Sequence, residues 1–358
     1  MTSVMCGRDD ALSRAETFAS GPARNQNGND EDVTMISETD PRGRRSMAVG
    51  RRLAIGVLSV GVLLGLSGWA SGWFIPTETT VTELSPGVFF RKTRNKPEFI
   101  GCNQGWVVFR DFVLVIDANF PNQAEEVIKL IRKTTDKPIR YVFDTHYHGD
   151  HADGNAKYTK QGAVAIASEA SRALFDTKGI QGFEKSRKEK AAEYGPLSYD
   201  KPSLYFPRKL VIDDGTMRVE LITFGHAHTA GDAIAWLPKQ RIAFTGDCCV
   251  NGAFNYTGDS NTESWIGVLT ELAKLPIRTI APGHGETSSK SLVATQKRYF
   301  VELRQAIQKS IDDGKTLEEI KTSIDLPWYK EWTGVDVKTR EENIEHVFGE
   351  LTGKKVKK

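Results

Sequence analysis

The sequence predicts an α/β protein with a helical C-terminal extension. Three observations carry that expectation. From about Thr77 onward, short β-rich runs alternate with runs of helical period. Three histidine motifs and one carboxylate motif each fall at the end of a predicted strand. From about Ser288 the strand patterns stop and only helical ones remain.

Ahead of that body lie two segments of different character. Residues 1–46 are polar and poor in large apolar side chains, with the run Asn25-Gln26-Asn27-Gly28-Asn29 and the acidic patch Asp30-Glu31-Asp32. They show neither helical nor strand periodicity and are expected to be disordered. Four of the five methionines fall within the first 47 residues, so Met47 is an alternative start. Residues 47–76 read as a signal peptide or membrane anchor. Leu53 through Ile75 carry no charge, and at about 1.5 Å per residue the run can span about 30 Å of hydrocarbon. Arg42, Arg44, Arg45, Arg51 and Arg52 precede it, an arrangement that keeps this end cytoplasmic and sends the body across. Trp69 and Trp73 stand where an interfacial anchor belongs, whereas Gly68, Ala70 and Gly72 offer a cleavage site. Export to the periplasmic or extracytoplasmic side is therefore expected, with the body secreted or anchored to the membrane.

Within the body, Val88-Phe89-Phe90, Trp106 to Phe109 and Phe112 to Ile116 form an opening meander. Pro121 to Lys133 places Ala124, Val127, Ile128 and Ile131 on one helical face, with proline at its start. Ile139 to Phe143 and Val164 to Ala167 read as strands. Residues 176–208, rich in Lys, Glu, Gly and Pro, read as an inserted lid or loop. Strands resume at Leu210 to Ile212, Val219 to Thr223, Ala233 to Leu237 and Ile242 to Thr245. A helix at 262–274 and a strand at Arg278 to Ala281 follow. Leu317 to Ile324 and Glu341 to Leu351 are the helical elements expected in the extension, residues 291–358.

Composition narrows the function classes. The chain has 358 residues, enough for a sizeable core without disulfides. Its 48 basic and 46 acidic residues leave a net charge of +2, so no broad basic surface for nucleic acid is expected. Four cysteines, two of them the adjacent Cys248 and Cys249, form no disulfide framework.

Six of the seven histidines lie in three groups. The first is Thr145-His146-Tyr147-His148-Gly149-Asp150-His151, directly after the strand at 139–143. Four potential ligands within six residues cannot share one face of a strand or helix, so they must sit on a loop folded around something. Imidazole with carboxylate suits zinc, and iron or manganese less specifically. The second group is Gly225-His226-Ala227-His228-Thr229-Ala230-Gly231-Asp232, and the third is Pro282-Gly283-His284-Gly285-Glu286. Between them stands Thr245-Gly246-Asp247. Four strand ends carrying ligand types point to one cleft at the edge of a sheet. His226 is read as an orienting or turn residue, Asp232 as a turn-stabilising carboxylate, and Cys248 and Cys249 as buried thiols.

The motif His146-x-His148-x-Asp150-His151, followed by His228, Asp247 and His284 in order and spacing, resembles the metallo-β-lactamase superfamily over roughly residues 80–290. The resemblance implies a four-layer αβ/βα sandwich with a dinuclear site at one edge. It implies that His146, His148 and His228 hold one metal, that Asp150, His151 and His284 hold the other, and that Asp247 bridges them. It further implies a zinc-dependent hydrolase cleaving an ester, thioester, lactone or amide in a small-molecule substrate through a metal-bound hydroxide, oriented by a catalytic Asp150. β-Lactamases of the subclass with a cysteine ligand have Cys in place of Asp247 and a lysine where this chain has Val250. The Pro-Gly-His-Gly form and the exported N-terminus resemble zinc metallohydrolases associated with sulfur oxidation or quinoproteins. Two other functions fit the same motifs: a mono-iron persulfide dioxygenase, and a metal-binding accessory protein without turnover.

Overall fold

The computed structural model describes residues 33–36, 79–93, 101–252, 255–326, 328 and 337–354. The expected signal or anchor segment, 47–76, and Met47 lie outside them. Among the described residues, no helix is long and apolar enough to cross a membrane.

Two sheets are stacked between helical layers. The first runs in the order β2 (Thr80–Ser85), β3 (Val88–Lys92), β4 (Gln104–Val108), β5 (Val113–Ile116), β6 (Ile139–Phe143), β7 (Val164–Ser168) and β8 (Leu204–Phe206). Its first four strands are an antiparallel meander, and β5 to β8 pair in parallel. The second sheet runs β1 (Val33–Ile36), β9 (Lys209–Asp213), β10 (Arg218–Ile222), β11 (Ile234–Leu237), β12 (Ile242–Gly246) and β13 (Thr279–Pro282). Here β9 to β12 are antiparallel and the two outer pairs are parallel.

Strand alternation builds the layers. Phe90, Val107, Leu114 and Ile116 of the first sheet face Leu221, Ala235, Leu237 and Phe244 of the second in one shared core. The intervening residues point outward. Trp106, Val113 and Val115 pack beneath α1 (Pro121–Thr134) through Ala124, Val127 and Ile131. On the opposite side Ile234, Trp236, Ala243 and Ile280 pack against α7 (Thr262–Leu272) and α8 (Ser291–Asp312). Ile320 of α9 (Leu317–Ser323) and Ile344 and Val347 of α10 (Val337–Thr352) enter the same core. The result is the expected four-layer αβ/βα sandwich with its helical extension.

The structure corrects the sequence reading in three places. The first is residues 176–208, which are not a loop. Glu169–Ser171 begins a helical stretch that runs through α4 (Arg172–Leu174), a π turn at Phe175–Gly179, α5 (Ile180–Glu189) and α6 (Ala191–Tyr194) before β8. Phe183 is the one buried side chain of α5, so a solvated helix rich in Lys and Glu lacks the apolar stripe that marks helices in a sequence. Second, Val33–Ile36, inside the segment expected to be disordered, pairs in parallel with Leu210–Asp213. Four residues at a sheet edge are too few for periodicity to announce. Third, Thr80–Ser85 and Leu204–Phe206 are strands that the pattern did not mark. The first is an exposed edge strand and the second is three residues long.

Candidate metal centre

The loop that leaves β6 carries the first motif. Asp144 and Thr145 are buried, and His148 stays extended before the turn α2 (Gly149–Ala152) brings Asp150 and His151 round. Asp117, just beyond β5, takes the left-handed conformation at φ 62°. Its Oδ1 accepts from the Thr145 backbone N–H at 2.8 Å and its Oδ2 faces His151 Nδ1 at 3.0 Å. The second motif is held by Asp232. Its Oδ2 accepts from the N–H groups of Ala227 and Thr229, and its Oδ1 from the Thr229 hydroxyl at 2.8 Å. That carboxylate closes the loop around His228. Asp247 follows β12 directly after Gly246, which sits at φ 49°. His284 follows β13, and Gly283 N–H donates to the Gly246 carbonyl at 2.9 Å, which lashes these two strand ends together.

All seven residues expected to bind metal converge here. His146, His148 and His228 form one group, and Asp150, His151 and His284 a second, each with its donor atoms within 4.8 Å of one another. A third group joins His146 and His151 to Asp247. His148 Nδ1 lies 3.1 Å from His146 Nε2 and 3.0 Å from His228 Nε2. Nitrogens bound tetrahedrally at about 2.05 Å stand about 3.3 Å apart, so this trio is close to the geometry zinc requires.

The outer ring nitrogens decide which lone pairs face inward. His228 Nδ1 donates to the Tyr256 carbonyl at 2.9 Å. His148 Nε2 donates to Asp259 Oδ2 at 3.2 Å. His146 Nδ1 lies 3.1 Å from the Thr145 hydroxyl. Carbonyl and carboxylate oxygens only accept, so in the neutral form of His148 or His228 the inner nitrogen is the one with the lone pair. His151 turns Nδ1 toward Asp117 and keeps Nε2 buried without a hydrogen-bond partner, 3.4 Å from Asp247 Oδ1 and 3.5 Å from Asp150 Oδ2; burial opposes a proton on this ring, but Cys102, Asp150, Asp117 and Asp247 raise its pKa well above the usual histidine range. Asp247 Oδ1 is also buried without a hydrogen-bond partner. Buried donors without partners, aimed at one point, fit a cation.

The electrostatics differ between the two halves of the site. Burial takes the His228 imidazole down to about 3 and, with His151 and His148 adding to it, holds His146 well below the usual histidine range. At Asp247 burial opposes the charge, but His284 and His151 more than reverse it and hold the carboxyl well below its ordinary value. Burial likewise opposes a proton on His284, and Asp247 and Asp150 raise it to about 10. Neutral imidazoles and ionised carboxylates are the ligand states divalent metals need. The two carboxylates draw positive charge to their half of the site, a demand that imidazolium protons or a divalent ion meet equally.

Residues 98–284, just over half of the chain, match the family model of the metallo-beta-lactamase superfamily. The chain belongs to that superfamily. Its members are mostly hydrolases, and the fold implies divalent metal, typically zinc. The chain is similar to "Beta-lactamase-like protein 2 homolog" of Caenorhabditis elegans, 25% identical over 215 residues, 60% of this chain and 65% of that protein. It is also similar to "Metallo-beta-lactamase type 2" of Bacillus cereus, 22% identical over 188 residues, 51% of this chain and 66% of that protein. The chain thus spans just under two thirds of the length of these curated relatives. A solved metallo-beta-lactamase from Pontibacter korlensis shares the fold at a TM-score of 0.52 and 20% identity, covering 62% of this chain and 99% of that one.

Several residues around the superfamily site carry weak sequence signals. Asp117 sits in Asp-Ala-Asn at a strand exit, a position that invites inspection. Cys102 groups with Asp117 and His151, and burial pushes its thiol up to about 12. Asp259 has no motif around it, yet it touches His148. Of the two residues expected to stand behind the ligands, Asp232 holds the His228 loop, whereas His226 Nε2 donates to the Asp259 carbonyl at 2.9 Å. Cys248 and Cys249 are buried free thiols, as expected.

Proposed function

We propose that this chain is a zinc-dependent hydrolase with a dinuclear site. His146, His148 and His228 hold one ion; Asp150, His151 and His284 hold the other; Asp247 lies between them. The observation that carries this reading is the inward convergence of three imidazole nitrogens, with His148 Nδ1 3.1 Å from His146 Nε2 and 3.0 Å from His228 Nε2, two of the rings having the outer N–H tied to an oxygen acceptor. Two bound divalent ions would supply a Lewis acid for a carbonyl oxygen and a water acidified toward about pH 7.

The chain's own residues do the rest. Asp150, with its side chain 20% exposed while His151 is fully buried, is the carboxylate that reaches the cleft. It orients the attacking water and takes its proton, a general-base role. His284 Nε2 lies 3.2 Å from Asp150 Oδ2, so the two would share one ion, and that shared ion would hold the carboxylate in place. Val250 is buried, so no cation stands there to hold the carboxylate of a β-lactam. An ester, thioester, lactone or simple amide suits the site better. Export, with the uncharged run after Arg51-Arg52 as signal or anchor, belongs to the same proposal.

The test is a panel of chromogenic esters, thioesters, lactones and amides with the wild-type chain and His148→Ala. Hydrolysis by the wild type that falls at least about 10²-fold in the variant is expected, given the loss of one ligand of three. A retained rate in His148→Ala refutes the proposal.

A further inference from the structure

His148 is the least enclosed of the three imidazoles, with its side chain 20% exposed against 3% for His228. One residue fixes its outer nitrogen. Asp259 Oδ2 accepts from His148 Nε2 at 3.2 Å and from the Tyr147 hydroxyl at 2.6 Å. Asp259 Oδ1 accepts from Lys178, which the π turn at Phe175–Gly179 presents. The Asp259 carbonyl accepts from His226.

Asp259 lies in irregular backbone between β12 and α7, where the Ser260 N–H closes a turn on the Thr257 carbonyl at 2.9 Å and the Asn261 N–H donates to the Ala227 carbonyl at 3.1 Å. Further ties come from α10. Asn343 Nδ2 donates to the Asn255 carbonyl at 2.7 Å, and Asn343 Oδ1 accepts from the Thr257 hydroxyl at 2.8 Å. His346 Nε2 faces the Ser260 carbonyl at 3.2 Å. Glu350 Oε1 accepts from the Thr262 N–H at 2.9 Å, and its other oxygen from the Thr262 hydroxyl. Residues 255, 257, 260 and 262 are thus pinned on both sides of Asp259 by one helix. That helix lies outside residues 98–284, the part that matches the superfamily model.

We infer that Asp259 is the positioning residue of His148 and that α10 holds Asp259 in place, so that the C-terminal extension completes the metal centre. The inference rests on the reading of His148 as a metal ligand. A carboxylate on the outer N–H of a ligating imidazole fixes its tautomer and ring orientation. Because α10 supplies the fixed frame, slack in α10 reaches the metal through two side chains.

The experiment uses the full chain and the variants Asp259→Ala, Asp259→Asn, Asn343→Ala and Glu350→Gln. Zinc affinity is read by chelator competition, and the His148 tautomer by imidazole nitrogen spectra of the metal-free protein. Asp259→Ala is expected to weaken one of two zinc sites by about 10–100-fold and leave the other within about threefold. Asp259→Asn, whose amide oxygen still accepts, recovers most of that loss. Asn343→Ala and Glu350→Gln weaken the same site by less. Wild-type zinc affinity in Asp259→Ala overturns the positioning role. Loss in Asp259→Ala with wild-type affinity in both α10 variants overturns the part assigned to the helix. A wild-type chain that takes up no zinc sinks the dinuclear reading instead. The spectra then decide the role of Asp259: an Nε2–H tautomer at His148 that Asp259→Ala abolishes supports it, and an unchanged tautomer overturns it.

Discussion

Gly283→Ala tests the site where two strand ends meet. A Cβ on residue 283 would stand 2.2 Å from Asp247 Oδ1, 2.8 Å from the Gly246 carbonyl carbon and 3.0 Å from its oxygen. Residue 283 cannot retreat easily. Its N–H is bonded to the Gly246 carbonyl at 2.9 Å, and its own carbonyl accepts from Asn103 N–H at 2.6 Å. Ordinary contact begins at 3.4 Å, so the carboxylate has to give way by about 1.2 Å. A misplacement of about 1 Å at a reacting centre costs about 10²-fold in rate, which is about 2.7 kcal/mol of transition-state stabilisation. Overpacking adds a stability loss of about 1–3 kcal/mol. Gly267→Ala is the control, since a Cβ there meets nothing within 4 Å inside α7, and it should stabilise by up to about 1 kcal/mol. The assays are zinc affinity, hydrolysis of the best panel substrate and the denaturant midpoint. Wild-type zinc affinity and rate in Gly283→Ala would refute the reasoning that Asp247 is confined between these two strand ends.

Other outcomes follow from the packing and the charges. Trp265 is fully buried against Phe300 and His228 and donates to the Cys248 carbonyl at 2.9 Å. Trp265→Ala should cost about 3–5 kcal/mol by urea unfolding, and Trp265→Phe less; a loss under 1 kcal/mol for the alanine variant would contradict the core assignment. Asp214 closes the turn between β9 and β10, accepting from the N–H groups of Arg110, Thr216 and Met217. Partial burial opposes its charge, but those donors lower its pKa to about 2. With an unfolded value of about 3.9, its contribution is complete above that pH and is lost as pH falls through 2. Asp214→Asn should therefore lower stability at pH 7 and flatten the acid limb between pH 4 and 2, measured by denaturant midpoints; an acid limb as steep as the wild type's would count against this account.

How far the sequence reached depended on where the physical signal lay. Ile139–Phe143 was placed to the residue because five residues of β-rich composition lead straight into a histidine motif. All seven ligand candidates met in space because each motif is local, and strand order brings the strand ends to one edge of the sandwich. The failures share a cause. Edge and very short strands such as Thr80–Ser85 and Leu204–Phe206 are made by their neighbours, not by their own periodicity. The helices of 169–194 bury too few side chains to show an apolar stripe. Asp259 and Asp117 act through contacts with residues 111 and 34 positions away, and a lone aspartate in a loop carries no trace of that. Ligand chemistry is therefore readable in a chain, whereas the groups that orient the ligands are products of the fold.

Metal content of the purified full-length chain, measured by elemental mass spectrometry, tests the central claim most directly. Two zinc ions per chain is the predicted result, with loss of one on His148→Ala. One iron per chain, or no bound divalent metal in a folded protein, would contradict the dinuclear zinc centre; iron would make oxygen uptake with a persulfide donor the next assay.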